Sequence, residues 1–319
     1  MIPVFSGRHV SAAVSPALAV DAVRDAFVAY ARGEWTMPPK VYVTNYPAGD
    51  FRAMPAIGGG LAILKWVTSF PGNPARGLPT VTGLVLVSDA ETGALVAALD
   101  AAAVTALRTG AAAVLAAETL GRRDASTAAV IGAGVNGEAA ARTFAARGRD
   151  VLVWDVDAER AARVADAVGG RVAGSREVAL GADLLVTVTP GHELVLDEGA
   201  LRPGQHVSLM GADGPGKAEI AVTELARTRV FCDDWKQASH SGELVHAVES
   251  GALAGSDVTQ LGDVLAGTAQ GRAADDEITA FDSTGLAIQD LAIARALLKR
   301  YGAERDAPEF DGVGRIDLG

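Results

Sequence analysis

Hydrophobic residues recur with helical spacing near the start of the chain, alternate from about residue 40 to 100, and then change period again. Val20, Val23, Phe27 and Tyr30 form one stripe at a 3.6-residue period, so residues 15–33 predict a helix. Ser15 is placed to cap it, Pro16 suits its first turn and Gly33 its end. "KVYV" and "FRAMP" then read as strands joined by a turn near "PAGD". "LAILKWV", residues 61–67, is a further strand, and "SFPGNPARGLP" a loop dense in Pro and Gly. "TVTGLVLVSD" and "ALVAALD" are two more strands, joined by "AETG". Short strands with tight turns predict an antiparallel sheet.

From Asp100 the period changes. "AAAVTALRTGAAAVLAAETLG" predicts a long Ala-rich helix carrying Arg108. "TAAVIGAGVNGEAAARTFAARGRDVLVWDVD" then repeats strand, glycine turn, helix and strand. The alternation continues through a helix near 157–168, "ADLLVTVTP", "HVSLMGADGPG", a helix near 220 and "RVFCDD". This is the βαβ series of a doubly wound parallel sheet. A last amphipathic helix is predicted from about 286 to 301, ending at Gly302, and the tail beyond it is weakly patterned.

One position breaks the apolar pattern. Lys65 lies near the middle of "LAILKWV" and shares a strand face with Ile63 and Val67. An ammonium buried without a partner is costly. Either Lys65 emerges at a sheet edge or an anion meets it inside.

Length and composition change the picture only in part. A chain of 319 residues allows roughly two domains. The net charge of −11 argues against nucleic acid or an anionic membrane as partner, while leaving room for a local cationic pocket. The single cysteine, Cys232 in "RVFCDD", excludes an intrachain disulfide and a Cys-based metal site, and reads as a core residue. His9, His192, His206, His240 and His246 show no ligand spacing, so no metal is expected, and His240 and His246 read as surface residues. "MIPVFSGRHV" lacks the pattern of a signal peptide, and Asp100 and Arg108 interrupt the apolar stretch 94–120. A cytoplasmic enzyme is the expectation.

The chemistry concentrates in the second half. "AAVIGAGVNGEAAA" places Gly132, Gly134 and Gly137 in the GxGxxG spacing between a strand and a helix, the context of a dinucleotide site. The helix N-terminus offers N–H groups to phosphates. The next strand ends at Asp155, placed to accept from both adenosine ribose hydroxyls and to repel a 2′-phosphate. The cofactor expected is therefore NAD(H) rather than NADP(H); Asp157 is a weaker candidate and Arg160 lies nearby. Thr187 and Thr189 share one face at the end of "VTVTP", and Asp213 follows the strand in "SLMGADGPGK". Asp213 stands either where nicotinamide chemistry would occur or as an ordinary turn residue. Thr109, Val135, Asn136, Met210, Gly211, Ser283 and Gly285 complete the expected cofactor set, although "FDSTG" would equally cap the last helix.

The segments "MPPKVYV", "FRAMPA", "LKWVTSFPGNPARGLPTVTG", "ETGALVAALD", "TALRTGAAA", "VIGAGVNG", "ADLLVTVTP", "MGADGPGKAEI" and "FDSTGLAIQDLA" resemble the ornithine cyclodeaminase/mu-crystallin family. The resemblance runs nearly end to end. It implies a homodimer in which a Rossmann-type doubly wound parallel sheet is inserted into a second α+β domain for substrate binding and dimerisation. The expected boundaries are 1–115 with 290–319 for the second domain and 116–289 for the NAD-binding domain. The resemblance further implies that Lys40, Lys65 and Arg108 hold a substrate carboxylate, which would neutralise the buried Lys65. Ornithine cyclodeaminases carry an acid just before "MP"; here Arg52 stands near that position, as in the alanine-dehydrogenase-like branch.

The expected reaction is hydride transfer from NADH to an imino acid formed from a 2-oxo acid and ammonia or an amine. Lys65 and Asp213 are the candidate proton donors, and Lys40, Arg52 and Arg108 orient the carboxylate. Clustered cations lower the pKa expected for Lys65. With Arg76 in the adjacent loop, so much charge would also suit a substrate bearing a second carboxylate, such as an imino dicarboxylic acid. A cyclodeaminase with bound NAD and a noncatalytic crystallin-like nucleotide-binding protein are the alternatives.

Overall fold

The computed structural model describes residues 1–191, 193–214 and 216–317. His192, one of the histidines noted above, lies outside the described residues. The chain divides into two compact units, 1–108 with 286–319 and 109–285. Both divisions fall a few residues before the boundaries expected from sequence. The first lies inside a continuous helix, where no break in pattern marks it.

The first unit begins with β1 (Ile2–Phe5), α1 (Gly7–Ala13) and α2 (Pro16–Ala31). The Ser15 hydroxyl accepts from Leu18 N at 3.2 Å and caps α2, whose Val20, Val23 and Phe27 are buried. There follow β2 (Val41–Asn45), β3 (Gly49–Gly58), β4 (Leu61–Ser69), β5 (Val81–Asp89) and β6 (Leu95–Asp100), then α3 (Ala101–Leu120), which runs on into the second unit.

The second unit continues with β7 (Thr127–Ile131), α4 (Val135–Ala146), β8 (Asp150–Trp154), α5 (Ala158–Val168), β9 (Arg171–Val172), α6 (Arg176–Ala179), β10 (Leu184–Thr187), β11 (His206–Leu209), α7 (Val222–Ala226) and β12 (Arg229–Cys232). It ends with α8 (Trp235–Ser241), α9 (Leu244–Glu249), β13 (Val258–Gln260), α10 (Leu261–Ala266) and β14 (Thr279–Asp282). Its sheet has the order β13-β12-β14-β11-β10-β7-β8-β9, and every pair is parallel. The strand order reverses between β7 and β10, the switch point at which doubly wound sheets bind ligands. The late strand β14 slips between β11 and β12, an insertion that local pattern does not reveal.

The chain then returns to the first unit as α11 (Ala287–Ala303) and β15 (Gly314–Ile316). Gly302 lies inside this helix rather than at its end. The first sheet has the order β15-β1-β6-β5-β4-β3-β2. It is mixed rather than purely antiparallel, because β1 runs parallel to β6. The weakly patterned tail is tied down: Phe310 packs edge-on against Phe5 and Tyr301, and β15 pairs with β1.

Candidate active site

Lys65 resolves the sequence puzzle through geometry. On β4, Ile63, Lys65 and Val67 are buried while Leu64 and Trp66 are exposed, so the lysine points inward with its apolar neighbours. It has 1% of its surface exposed, and its Nζ lies 2.8 Å from Oδ1 of Asp290, which is fully buried. The anion inside is thus a carboxylate of the protein. Asp290 stands in the first turn of α11, where the helix dipole also favours a negative charge. Arg108 Nε approaches the same oxygen at 3.7 Å, and its Nη1 lies 3.5 Å from Gln289 Oε1. Burial is the main cause that lowers the Lys65 pKa to about 8; Arg108 and Arg52 add to the fall and Asp290 opposes it.

Arg52 lies on the same face, since Met54, two residues on, is the register partner of Lys65. It is not an isolated cation. Its Nε donates to Asp50 Oδ1 at 2.6 Å and its Nη2 to Oδ2 at 3.1 Å, and its guanidinium sits over the Tyr42 ring. Lys40 is half-buried immediately before β2, and Arg76 is exposed in a short 3₁₀ turn, Asn73–Arg76. The structure therefore groups Arg52, Lys65 and Arg108, and adds Asp50, Gln289 and Asp290, which the sequence reading missed. A signal existed: Asp290 is a charge on the apolar stripe of its helix, the counterpart of Lys65 in its strand.

In the second unit, the turn after β7 has the shape a dinucleotide requires. Gly132 has φ +102, and a Cβ there would lie 2.7 Å from Val188 O. A Cβ on Gly137 would lie 1.8 Å from Gly132 O, so helix and turn touch through backbone. A Cβ on Gly134 would meet nothing within 4 Å, which leaves the backbone open to a ligand. No side chain caps α4, whose first N–H groups follow directly. Asp155 stands at the end of β8; its Oδ2 accepts from Ala133 N at 2.6 Å and its Oδ1 from Asp157 N at 2.9 Å. Each oxygen keeps capacity for a further donor. Arg160 Nη1 lies 3.8 Å from Asp155. Val135 and Val156, beside the turn and the acid, are exposed apolar residues. These features fit NAD.

Other expected cofactor residues require correction. Thr187 is fully buried and its hydroxyl donates to Glu219 Oε2 at 2.8 Å, so it is withdrawn from a ligand. Gly211 N donates to the same oxygen at 2.8 Å. Thr189 stays at the rim, with its N–H on Glu219 Oε1. In "FDSTG", Ser283 N donates to Leu209 O, while Ser283 Oγ and Gly285 N donate to Asp233 Oδ2. These groups serve Asp233 rather than a cofactor, and they do not cap α11, where Leu286 N donates to Gln289 Oε1. Thr109 is buried, and its hydroxyl has no hydrogen-bond partner among the described residues. Met210 is buried, and Asn136 is the second residue of α4. Asp213 lies beyond β11, and its Oδ1 accepts from Lys217 Nζ at 2.6 Å.

His206 and His246 have structural partners. His206 is buried between Thr279 and Ser208, and burial holds its pKa near 3. His240 and His246 fall on separate helices, α8 and α9, and His246 is half-buried with Nε2 bonded to Lys217 O. Cys232 is buried, and burial pushes its thiol pKa up.

A doubly wound nucleotide-binding unit and a second unit carrying a buried cation cluster define a dinucleotide-dependent enzyme class. Residues 4–304 match the ornithine cyclodeaminase/mu-crystallin family, and the chain belongs to it. It is 41% identical over 315 residues to an alanine dehydrogenase of Archaeoglobus fulgidus, covering 94% of this chain and 97% of that protein. Among solved structures it is similar to an archaeal alanine dehydrogenase dimer with bound NAD (38% identity, TM-score 0.92, covering 100% of this chain and 99% of that one). It is also similar to the iminosuccinate reductase of Paracoccus denitrificans in complex with NAD+ (28% identity, TM-score 0.87, covering 95% and 97%).

Proposed function

We propose that this protein is an NAD-dependent oxidoreductase that reduces an imino acid to an L-amino acid, in the manner of an alanine dehydrogenase. One observation carries the reading of the substrate: the fully buried Lys65–Asp290 pair with Arg108 and Arg52 around it. Arg52, Lys65 and Arg108 set against Asp50 and Asp290 leave one positive charge, which suits one carboxylate. Lys40 is the residue that would admit a second carboxylate, as in an iminosuccinate-type substrate.

The turn at Gly132, Gly134 and Gly137 with Asp155 would hold NADH, which when bound would supply a hydride for the imine carbon. Arg108 and Arg52 orient the carboxylate so that the carbon is presented for attack. Lys65, with its pKa near 8, holds a proton at neutral pH and is matched to deliver it to the substrate nitrogen. Asp213 is the second candidate for that step. Imine, hydride and proton together give the amine, with NAD+ as the other product. Asp155 selects NAD(H). A cyclodeaminase reading is disfavoured because Asp50, the acid nearest to "MP", is already neutralised by Arg52, so a distal ammonium would meet a cation. A cytoplasmic site of action belongs to the same proposal.

The functional form is proposed to be a homodimer. Val41, Val43, Ile57, Leu64, Trp66 and Leu84 lie on one face of the first sheet by register, and all are exposed. An apolar face of this kind marks an association surface. Trp66→Lys with Leu84→Lys is expected to yield a monomer in sedimentation; an unchanged mass removes this face as the interface.

The test of the reaction follows NADH loss with ammonium and pyruvate, glyoxylate, oxaloacetate, 2-oxoglutarate or a cyclic imino acid. Turnover with pyruvate or glyoxylate is expected. A preference for oxaloacetate would assign Lys40 a second carboxylate. Ammonia release from ornithine without net NADH loss would replace the proposal with a cyclodeaminase.

A further inference from the structure

Glu219 lies between β11 and α7 and is fully buried, yet among the described residues no Lys or Arg pairs with it. Its carboxylate is instead held by neutral donors from two chain segments. Oε1 accepts from Thr189 N at 2.6 Å. Oε2 accepts from Thr187 Oγ1 at 2.8 Å and from Gly211 N at 2.8 Å. The first two donors belong to the end of β10 and the turn after it, the third to the turn after β11. These turns approach closely: a Cβ on Gly211 would lie 2.4 Å from Thr189 O and 2.6 Å from the Glu219 carboxyl carbon. The Glu219 backbone is anchored in turn, its N–H donating to Glu243 Oε1 at 2.7 Å and its carbonyl accepting from Val195 N and Leu196 N.

The two turns so joined sit at the carboxyl ends of neighbouring parallel strands, the edge where doubly wound sheets receive ligands. They carry Thr189 and Met210, and Asp213 follows two residues after Gly211. We propose that Glu219 is a positioning residue that fixes these two turns as one rigid rim for the nicotinamide end of the cofactor. This rests on the NAD-dependent reading above.

The donor pattern explains why a carboxylate is needed. Each of its oxygens receives one backbone N–H, from Thr189 or from Gly211. A glutamine offers only one oxygen, so in either orientation its NH2 faces a backbone N–H. An unmade buried bond then loosens one turn from the other. Aspartate keeps the charge but is one methylene short of spanning both turns.

Glu219→Gln and Glu219→Asp are compared with wild type for NADH binding by fluorescence, ADP-ribose binding by calorimetry, and kcat. ADP-ribose lacks the nicotinamide and reports the rest of the site alone. Both variants are expected to bind ADP-ribose as wild type does, while NADH affinity weakens and kcat falls on the order of 10- to 100-fold, as for a misplacement of about an ångström. Wild-type NADH affinity and kcat in either folded variant would overturn the proposal. So would an equal loss of NADH and ADP-ribose binding, which would make Glu219 a support of the whole nucleotide unit. If wild type binds NADH but reduces no imino acid, the reaction proposed above fails, while the NADH and ADP-ribose comparison still decides the role of Glu219.

Discussion

Lys65 and Asp290 are the two buried residues on which both stability and chemistry turn. Replacing one partner strands the other without solvent. Asp290→Ala is expected to cost about 3–5 kcal/mol, because the buried ammonium loses its carboxylate contact at 2.8 Å. Lys65→Met is expected to cost less, since Arg108 still lies 3.7 Å from Asp290. The double variant Lys65→Met/Asp290→Leu is expected to recover stability above Asp290→Ala while remaining inactive. Denaturant unfolding measures all three, and additive losses would show that the pair is not coupled. The same lysine predicts a pH profile. Its pKa is lowered to about 8, so a reductive rate that needs its proton falls above about pH 8. Asp290 raises that pKa, so Asp290→Asn is expected to move the basic limb of kcat/KM to lower pH. A limb that stays in place would transfer the proton to Asp213.

At the scale of elements, the glycines after β7 divide into two kinds, and the division is testable. Gly137→Ala sets a methyl 1.8 Å from Gly132 O, so the turn and α4 must part, and both the melting temperature and NADH binding are expected to fall. Gly134→Ala meets nothing within 4 Å, so the fold is expected to keep its melting temperature while NADH affinity drops at least tenfold. Wild-type NADH affinity in Gly134→Ala would mean that the pyrophosphate does not approach there. This turn was legible in sequence because its requirements are local: a positive φ, a close backbone contact, and an acid at the next strand end. The period-2 face of β4 was legible for the same reason. What the sequence hid was nonlocal. Lys65 and Asp290 are 225 residues apart, and nothing in "LAILKWV" names its partner. "FDSTG" looked like a ligand turn because its donors are real, but Asp233, some fifty residues upstream, takes them. The parallel pairing of β1 with β6 and the insertion of β14 likewise depend on distant segments.

At the scale of the whole molecule, the acidic balance extends inside the fold. Glu219, Glu243 and Asp282 are all buried, and burial is the main cause that raises the pKa of each; the charges of Glu219 and Asp282 add to the rise at Glu243, and those of Asp233 and Glu219 to the rise at Asp282. Glu243 is pushed up to about 9 and Asp282 to about 8, while in the unfolded chain both titrate near 4. Between about pH 4 and 8 the folded state therefore binds more protons than the unfolded state. His206, held near 3 by burial against about 6.5 when unfolded, opposes the two acids below about pH 6.5, but it is one group against two, so stability falls as pH rises through that window. Lys65 acts later and in the opposite sense. Its folded pKa lies below the unfolded value, so its contribution rises only from about pH 8 to 10.5, and the acids govern the lower range. The chain is therefore expected to melt at a higher temperature at pH 5.5 than at pH 8. The growing net negative charge acts in the same direction, so a comparison within the site is needed. Asp282→Asn keeps an acceptor for Leu244 N, which lies 3.0 Å from Oδ2, and removes the titration. It is expected to narrow the gap between the two melting temperatures by stabilising the protein at pH 8 more than at pH 5.5. An undiminished gap would mean that Asp282 is ionised in the folded protein, and that a cation or the cofactor-bound state compensates a charge that burial alone would suppress.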